Sequence, residues 1–207
     1  MSARVASRQA VIGGTRIRAL VLGFAGCLCA VLGDDPARAE EGPWSATLYA
    51  GPATNNYTSQ IFHGEFHIQG PMAGLAIDRN LFYLGAGFRI VGEAQATHYF
   101  LDPPTSTLAV GLGLKYDRLS LGPNIPVTVA LYLGPSYSVD PPLYPTGTGF
   151  VRYRFLNYLS SEATFGIPGA PRWAISLRTF HRSGMYGLYA RDVDEGTMIG
   201  IGIRHSF

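Results

Sequence analysis

Phe180-His181-Arg182-Ser183-Gly184, followed by Glu195, combines residue types that can transfer an acyl group. In an extended segment His181 and Ser183, two positions apart, project to the same side. An imidazole there can take the proton of the serine hydroxyl, and a carboxylate brought beside it would orient the ring and stabilise its charged form. Glu195 is the candidate carboxylate. The main-chain N–H groups of Gly184 or Gly187 are the candidate donors to the oxyanion that such an attack creates. The competing explanation is that His181 lies in a polar headgroup layer at the rim of a barrel, where such residues cost little; composition alone favours it.

Other constellations carry less. His63-Gly64-Glu65-Phe66-His67 sets two imidazoles and a carboxylate at period two, but no third histidine or second carboxylate stands nearby and the spacing is not His-Glu-x-x-His. An exposed polar loop explains it better. Asp192, Asp194 and Glu195 form an acidic cluster, for which a solvated loop is again the commoner explanation. Gly111-Leu112-Gly113 sits inside a strand pattern and is no phosphate-cradling turn. Cys27 and Cys29 are the only two cysteines, and both fall in the leader described below, which leaves no thiolate chemistry afterwards. No metal and no cofactor is expected.

The elements that must position His181, Ser183 and Glu195 are strands. From Trp44 onward, segments alternate large apolar with small or polar side chains and are separated by Gly, Pro, Asn and Asp clusters, the period-two signature. Strands are expected near 44–51, 71–79, 81–94, 105–117, 126–135, 153–167, 171–183 and 195–207. Within 81–94, Phe82, Leu84, Ala86, Phe88 and Ile90 share one face, and Tyr83, Gly85, Gly87, Arg89 and Glu93 the other. Leu108, Val110, Leu112 and Leu114 oppose Ala109, Gly111, Gly113 and Lys115; Ile199, Ile201 and Ile203 oppose Met198, Gly200, Gly202 and Arg204. A soluble sandwich would turn the glycine-rich face to water. A narrow closed barrel accounts better for glycine on that face in strand after strand, because its interior holds small residues and paired charges while its outside shows lipid an apolar band.

The expected fold is therefore an all-β, antiparallel, eight-stranded transmembrane barrel. Its interior should carry Arg89, Lys115, Arg178 and Arg204 together with Glu93 and Glu162. His181 and Ser183 share the parity of Trp173, Ile175 and Leu177, which is the lipid face. Glu195 shares the parity of Ile199 and Ile201, so it too is expected outside, beside His181 and Ser183. The stretch 54–69 is less regular, and its pattern does not decide between loop and strand.

Composition agrees. Of 207 residues only 14% are charged, 47% are hydrophobic and 26 are glycine; about 25% charge is usual in soluble domains. Arg4, Arg8, Arg16 and Arg18 precede an apolar run from Ala19 to Leu32 and the small-x-small site Ala37-Arg38-Ala39, the pattern of a cleaved export signal. The expected domains are thus 1–39, signal peptide, and 40–207, barrel. Phe24-Ala25-Gly26-Cys27 distantly resembles a lipoprotein box, but the apolar run continues past Cys27, which fits cleavage after Ala39 better. Without the leader's five arginines and two aspartates, 11 basic and 12 acidic residues remain. That balance argues against nucleic acid as a partner.

A His-x-Ser pair on the penultimate strand, an acidic residue fourteen positions after the histidine, a small barrel and a terminal Phe together resemble the lipid A 3-O-deacylases of the PagL type, an acyloxyacyl hydrolase-like outer-membrane family. Phe155-Leu156-Asn157-Tyr158-Leu159 through Ile167, Arg172-Trp173 and His181 to Gly187 add to the similarity. The resemblance implies a triad of His181, Ser183 and Glu195 outside an eight-stranded barrel in the Gram-negative outer membrane, and hydrolysis of an ester-linked 3-hydroxyacyl chain of lipid A in lipopolysaccharide. It also implies that Phe207 addresses the barrel-assembly machinery; pairing into a homodimer stays open. The family carries Asn directly after the serine, associated with the oxyanion hole, where this chain has Gly184. Either a backbone N–H replaces it or the barrel is non-catalytic, an anchor, adhesin or sensor with a vestigial triad; if a missing amide limits the oxyanion hole, Gly184→Asn should raise activity.

Overall fold

The computed structural model describes residues 42–54, 56, 60–61, 63–64, 66–141, 144–146, 149–185, 187–190 and 193–207. The expected export signal and its expected cleavage point, Glu65 and Asp192 lie outside these residues. Eight long strands, β1 (Trp44–Thr54), β2 (Ile68–Gly85), β3 (Phe88–Tyr99), β4 (Thr105–Ser120), β5 (Pro126–Ser138), β8 (Phe155–Ile167), β9 (Ala170–Ser183) and β10 (Asp194–Ser206), follow one another around a closed antiparallel barrel. A short hairpin of β6 (Tyr144–Thr146) and β7 (Gly149–Val151) stands between β5 and β8. Closure is made by β1 against β10, with Ala46 opposite His205. Beside it, Phe207 donates its N–H to the carbonyl of Trp44 at 2.9 Å. No row of backbone groups around this wall is left as an open edge, the condition for a sheet to stand in hydrocarbon.

One strand boundary departs from expectation. The segment 81–94 is not one strand: the chain reverses at Gly85-Ala86-Gly87, which have φ values of +90°, +52° and +83°, so β2 runs on to Gly85 and β3 starts at Phe88. Glycine at two of these positions supplies the left-handed backbone. The alternation of large and small residues continues through the turn and hides it. Residues 56–67 belong to the connection between β1 and β2.

Alternation along each strand sorts the side chains by face. Leu48, Leu75, Val110, Leu112, Leu131, Leu133, Ile201 and Ile203 are exposed on the outside, and at parity one step away Thr47, Tyr49, Ala76, Val91, Ala109, Tyr132 and Tyr158 are buried inside. Gly74 and Gly113 make room for the tyrosines: a Cβ at Gly74 would lie 2.4 Å from the Tyr49 ring, and one at Gly113 2.5 Å from Cδ1 of Tyr132.

The interior also holds ions. Arg178 lies 2.6 Å from Glu93 and 3.6 Å from Glu162; Arg204 lies 3.1 Å from Glu162 and 2.7 Å from Asp78. Ser176 and Tyr132 donate hydroxyl hydrogen bonds to Glu162 at 2.7 and 3.3 Å, and Tyr158 donates to Glu93. Lys115 is buried with them, and Arg89 pairs with Asp117 at 2.5 Å. All six ions expected inside face inward. Each carboxylate in the central group meets a guanidinium, which is what makes their removal from water tolerable.

The two barrel ends differ. Turns at 86–87, 121–125 and 168–169 are short and lie at the end of Trp44 and Phe207, whereas the connections 55–67, 100–104, 139–154 and 184–193 occupy the other end. His181 and Ser183 stand on the outer wall at the long-loop end.

Candidate active site on the outer wall

β9 delivers His181 and Ser183 to the outer face by simple alternation, because Phe180 and Arg182, between and beside them, are buried inside. Next to it on β8, Leu159 is opposite His181 and Asn157 opposite Ser183. Further down the same face Ser161 and Thr179 share a hydroxyl hydrogen bond of 2.7 Å, and below them the wall becomes apolar at Ala163 and Leu177. A polar patch thus borders the apolar belt at one height of the barrel.

The β10 side overturns one expectation. Thr197 pairs with His181 but Asp194 pairs with Ser183, so β10 has one residue more than β9 between these rungs. The extra residue is a bulge, with Gly196 at φ +81°. A bulge reverses the parity of everything before it. Glu195 therefore does not share the outer face of Ile199 and Ile201: its carboxylate turns in to accept a hydrogen bond from Arg182 Nη1, and the two side chains are 7% and 1% exposed. Arg182 is held in turn by the Ser136 hydroxyl at 2.8 Å and the Arg154 carbonyl at 3.1 Å.

The bulge brings something else to the imidazole. His181 Nδ1 lies 3.0 Å from the Gly196 carbonyl oxygen and 3.3 Å from the Thr197 hydroxyl. A carbonyl only accepts, so this contact assigns the proton to Nδ1 and the basic lone pair to Nε2. That is the tautomer a serine's general base requires.

The two expected oxyanion donors are engaged elsewhere. Gly184 donates its N–H to the Val193 carbonyl at 2.8 Å, and Gly187 donates to the Gly184 carbonyl at 3.2 Å. The Gly184 carbonyl also accepts from Tyr189 at 3.0 Å. This tight turn, anchored where Leu156, Ala190 and Val193 pack together, brings the backbone so close that a Cβ at Gly184 would lie 1.9 Å from the Ala190 oxygen. Glycine at 184 is thus required by the turn, and the expectation that Asn there would raise activity does not survive this geometry.

The sequence assigns no role to Asn157 or Arg182, although one stands opposite Ser183 and the other anchors Glu195. Arg182 had a signal in its inward parity, shared with Arg178. For Asn157 there was none, since its place beside Ser183 depends on the register between β8 and β9. Elsewhere, His63 is exposed and the His67 ring and backbone N–H are tied to Asn56; among the described residues no group of three ligating side chains converges.

No family model and no curated sequence matches the chain. Among solved structures, it is similar to the outer membrane enzyme PagL, with a TM-score of 0.52 at 13% identity over 79% of this chain and 99% of that one. Neisserial surface protein A is similar with a TM-score of 0.49 at 10% identity, over 80% and 98% of the two chains. At these identities the likeness is one of fold, the small eight-stranded barrel of outer-membrane proteins.

Proposed function

We propose that this chain is an exported outer-membrane serine esterase that removes an ester-linked 3-hydroxyacyl chain from lipid A. The observation that carries the proposal is the His181–Ser183 pair on the outer wall, with Nδ1 of the imidazole held by the Gly196 carbonyl. Polar side chains facing lipid are expensive unless they serve a purpose. A wall site also suits a substrate that diffuses in the membrane and has its ester at the boundary between headgroup and hydrocarbon.

In the proposed reaction Ser183 Oγ bonds to the ester carbonyl carbon as its proton passes to His181 Nε2. The tetrahedral intermediate collapses, the bond to the sugar oxygen breaks, and the imidazolium protonates the departing oxygen to give the sugar hydroxyl. Water, deprotonated by His181, then attacks the acyl carbon; the bond to Ser183 Oγ breaks, the fatty acid leaves, and the imidazolium returns its proton to the serine oxygen. Glu195 contributes from within the wall, where its bond to Arg182 holds the bulge that presents the Gly196 carbonyl. Assembly through Phe207 and residence in the Gram-negative outer membrane belong to the same proposal.

The test is mass spectrometry of lipid A from cells carrying the native chain or Ser183→Ala. The native chain should remove one hydroxyacyl group and the variant none. Identical lipid A from both would favour the second reading, a non-catalytic barrel with a vestigial triad, which draws on the inward turn of Glu195 and the engaged amides of Gly184 and Gly187.

A further inference from the structure

If the Gly184 and Gly187 amides are committed to their turn, a serine esterase at this site needs another group to meet the negative charge that develops on the carbonyl oxygen. We infer that the carboxamide of Asn157 is that oxyanion donor. The inference rests on the esterase proposal and adds a catalytic residue to it.

Three observations converge on Asn157. It is the β8 residue directly opposite Ser183, and directly opposed side chains have Cβ atoms about 4.5–5.5 Å apart on one face of the sheet. The amide nitrogen is two bonds beyond its Cβ and the serine oxygen one beyond its own, so one acyl carbonyl can be attacked by Oγ while its oxygen meets the amide. Secondly, Asn157 is secluded where its neighbours are not: on the same outer face Phe155 is 62% and Leu159 36% exposed, but Asn157 is 5% exposed. Thirdly, among the described residues none donates to or accepts from its carboxamide. A ligand oxygen arriving at Ser183 supplies the missing partner.

The arrangement also divides the labour between the strands. β9 carries nucleophile and base, β10 carries the carbonyl that orients the base, and β8 carries the donor. The oxyanion then forms on the β8 side of Ser183, which directs the acyl chain down the wall over Ser161 and Ala163 toward the apolar belt.

The test uses the purified full barrel in detergent micelles and the p-nitrophenyl ester of a 3-hydroxy fatty acid, with native chain, Ser183→Ala, Asn157→Ala and the isosteric Asn157→Asp. Folding is checked for each by the mobility of the unheated barrel in gels. Ser183→Ala should eliminate turnover, and both Asn157 variants should lower kcat by about 10²–10³-fold with KM nearly unchanged, the effect of removing one oxyanion donor. Asn157→Asp keeps the shape and offers an acceptor in place of the donor, so its loss cannot be ascribed to packing. Folded Asn157 variants that turn over within about threefold of the native chain, while Ser183→Ala is inert, would overturn the inference and leave the esterase standing. Native turnover no faster than that of Ser183→Ala would remove both.

Discussion

In the proposed esterase, Glu195 and Arg182 serve a site they do not face. Their bond lies inside the wall at the bulge on which the Gly196 carbonyl meets His181; on the proposed reading it holds that bulge, so either partner's loss should loosen the imidazole. Glu195→Gln and Arg182→Gln are each expected to lower kcat on the order of 10–100-fold, the scale of a small misplacement of a catalytic group. The double variant should be little worse than the more damaging single one, because both remove the same restraint. Steady-state turnover of the four proteins gives the coupling directly. Were Glu195 instead to contact the imidazole as a member of a relay, Arg182→Gln would leave turnover near native and Glu195→Gln alone would be damaging.

The turn after β9 and the faces of β1, β2 and β3 are governed by clearance. Gly184 sits where a side chain would strike the Ala190 carbonyl, with 1.9 Å between that oxygen and an added Cβ. Gly184→Asn should therefore open the 184–193 turn and reduce turnover. Limited proteolysis of the folded barrel should show earlier cleavage there, and a faster enzyme with an intact turn would contradict the steric account. At Gly74 the obstacle is the Tyr49 ring, whose hydroxyl shares a 2.6 Å hydrogen bond with Thr97. Gly74→Leu must displace that ring from a filled interior, and overpacking of this kind typically costs about 1–3 kcal/mol. The urea midpoint of the barrel in detergent should fall accordingly, while Gly85→Ala, at a turn with open space around it but φ +90°, tests backbone strain alone.

The barrel as a whole depends on two boundaries, an apolar one with lipid and an ionic one within. Glu162 is the hinge of the inner network because it accepts from Arg204 at 3.1 Å and forms an ion pair with Arg178 at 3.6 Å. Glu162→Ala would leave two buried guanidinium groups short of a counter-charge, a loss on the order of 3–5 kcal/mol. The variant should unfold at markedly lower urea or fail to refold into micelles, as seen in the ratio of folded to heat-denatured bands. Native-like unfolding would show that Glu93 and Asp78 suffice to neutralise the two arginines. Since the network joins β2, β3, β8, β9 and β10, its failure should release the whole wall in one transition.

What the chain could disclose by itself was whatever is encoded at short range. The strands, their inner and outer faces, the inward ions and the shared face of His181 and Ser183 all follow from a period of two, which a strand imposes residue by residue. Where the period survives a change of direction it misleads: Gly85-Ala86-Gly87 continues the alternation of large and small and so concealed the β2–β3 turn. Tertiary structure decided the rest, because pairing across strands is set by distant residues. One extra residue in β10 relative to β9 sends Glu195 inward and puts a main-chain carbonyl against His181. The register of β8 against β9 puts Asn157, 26 positions away in the chain, opposite Ser183. A bulge and a register are properties of two strands at once, and neither is written in the local pattern of one.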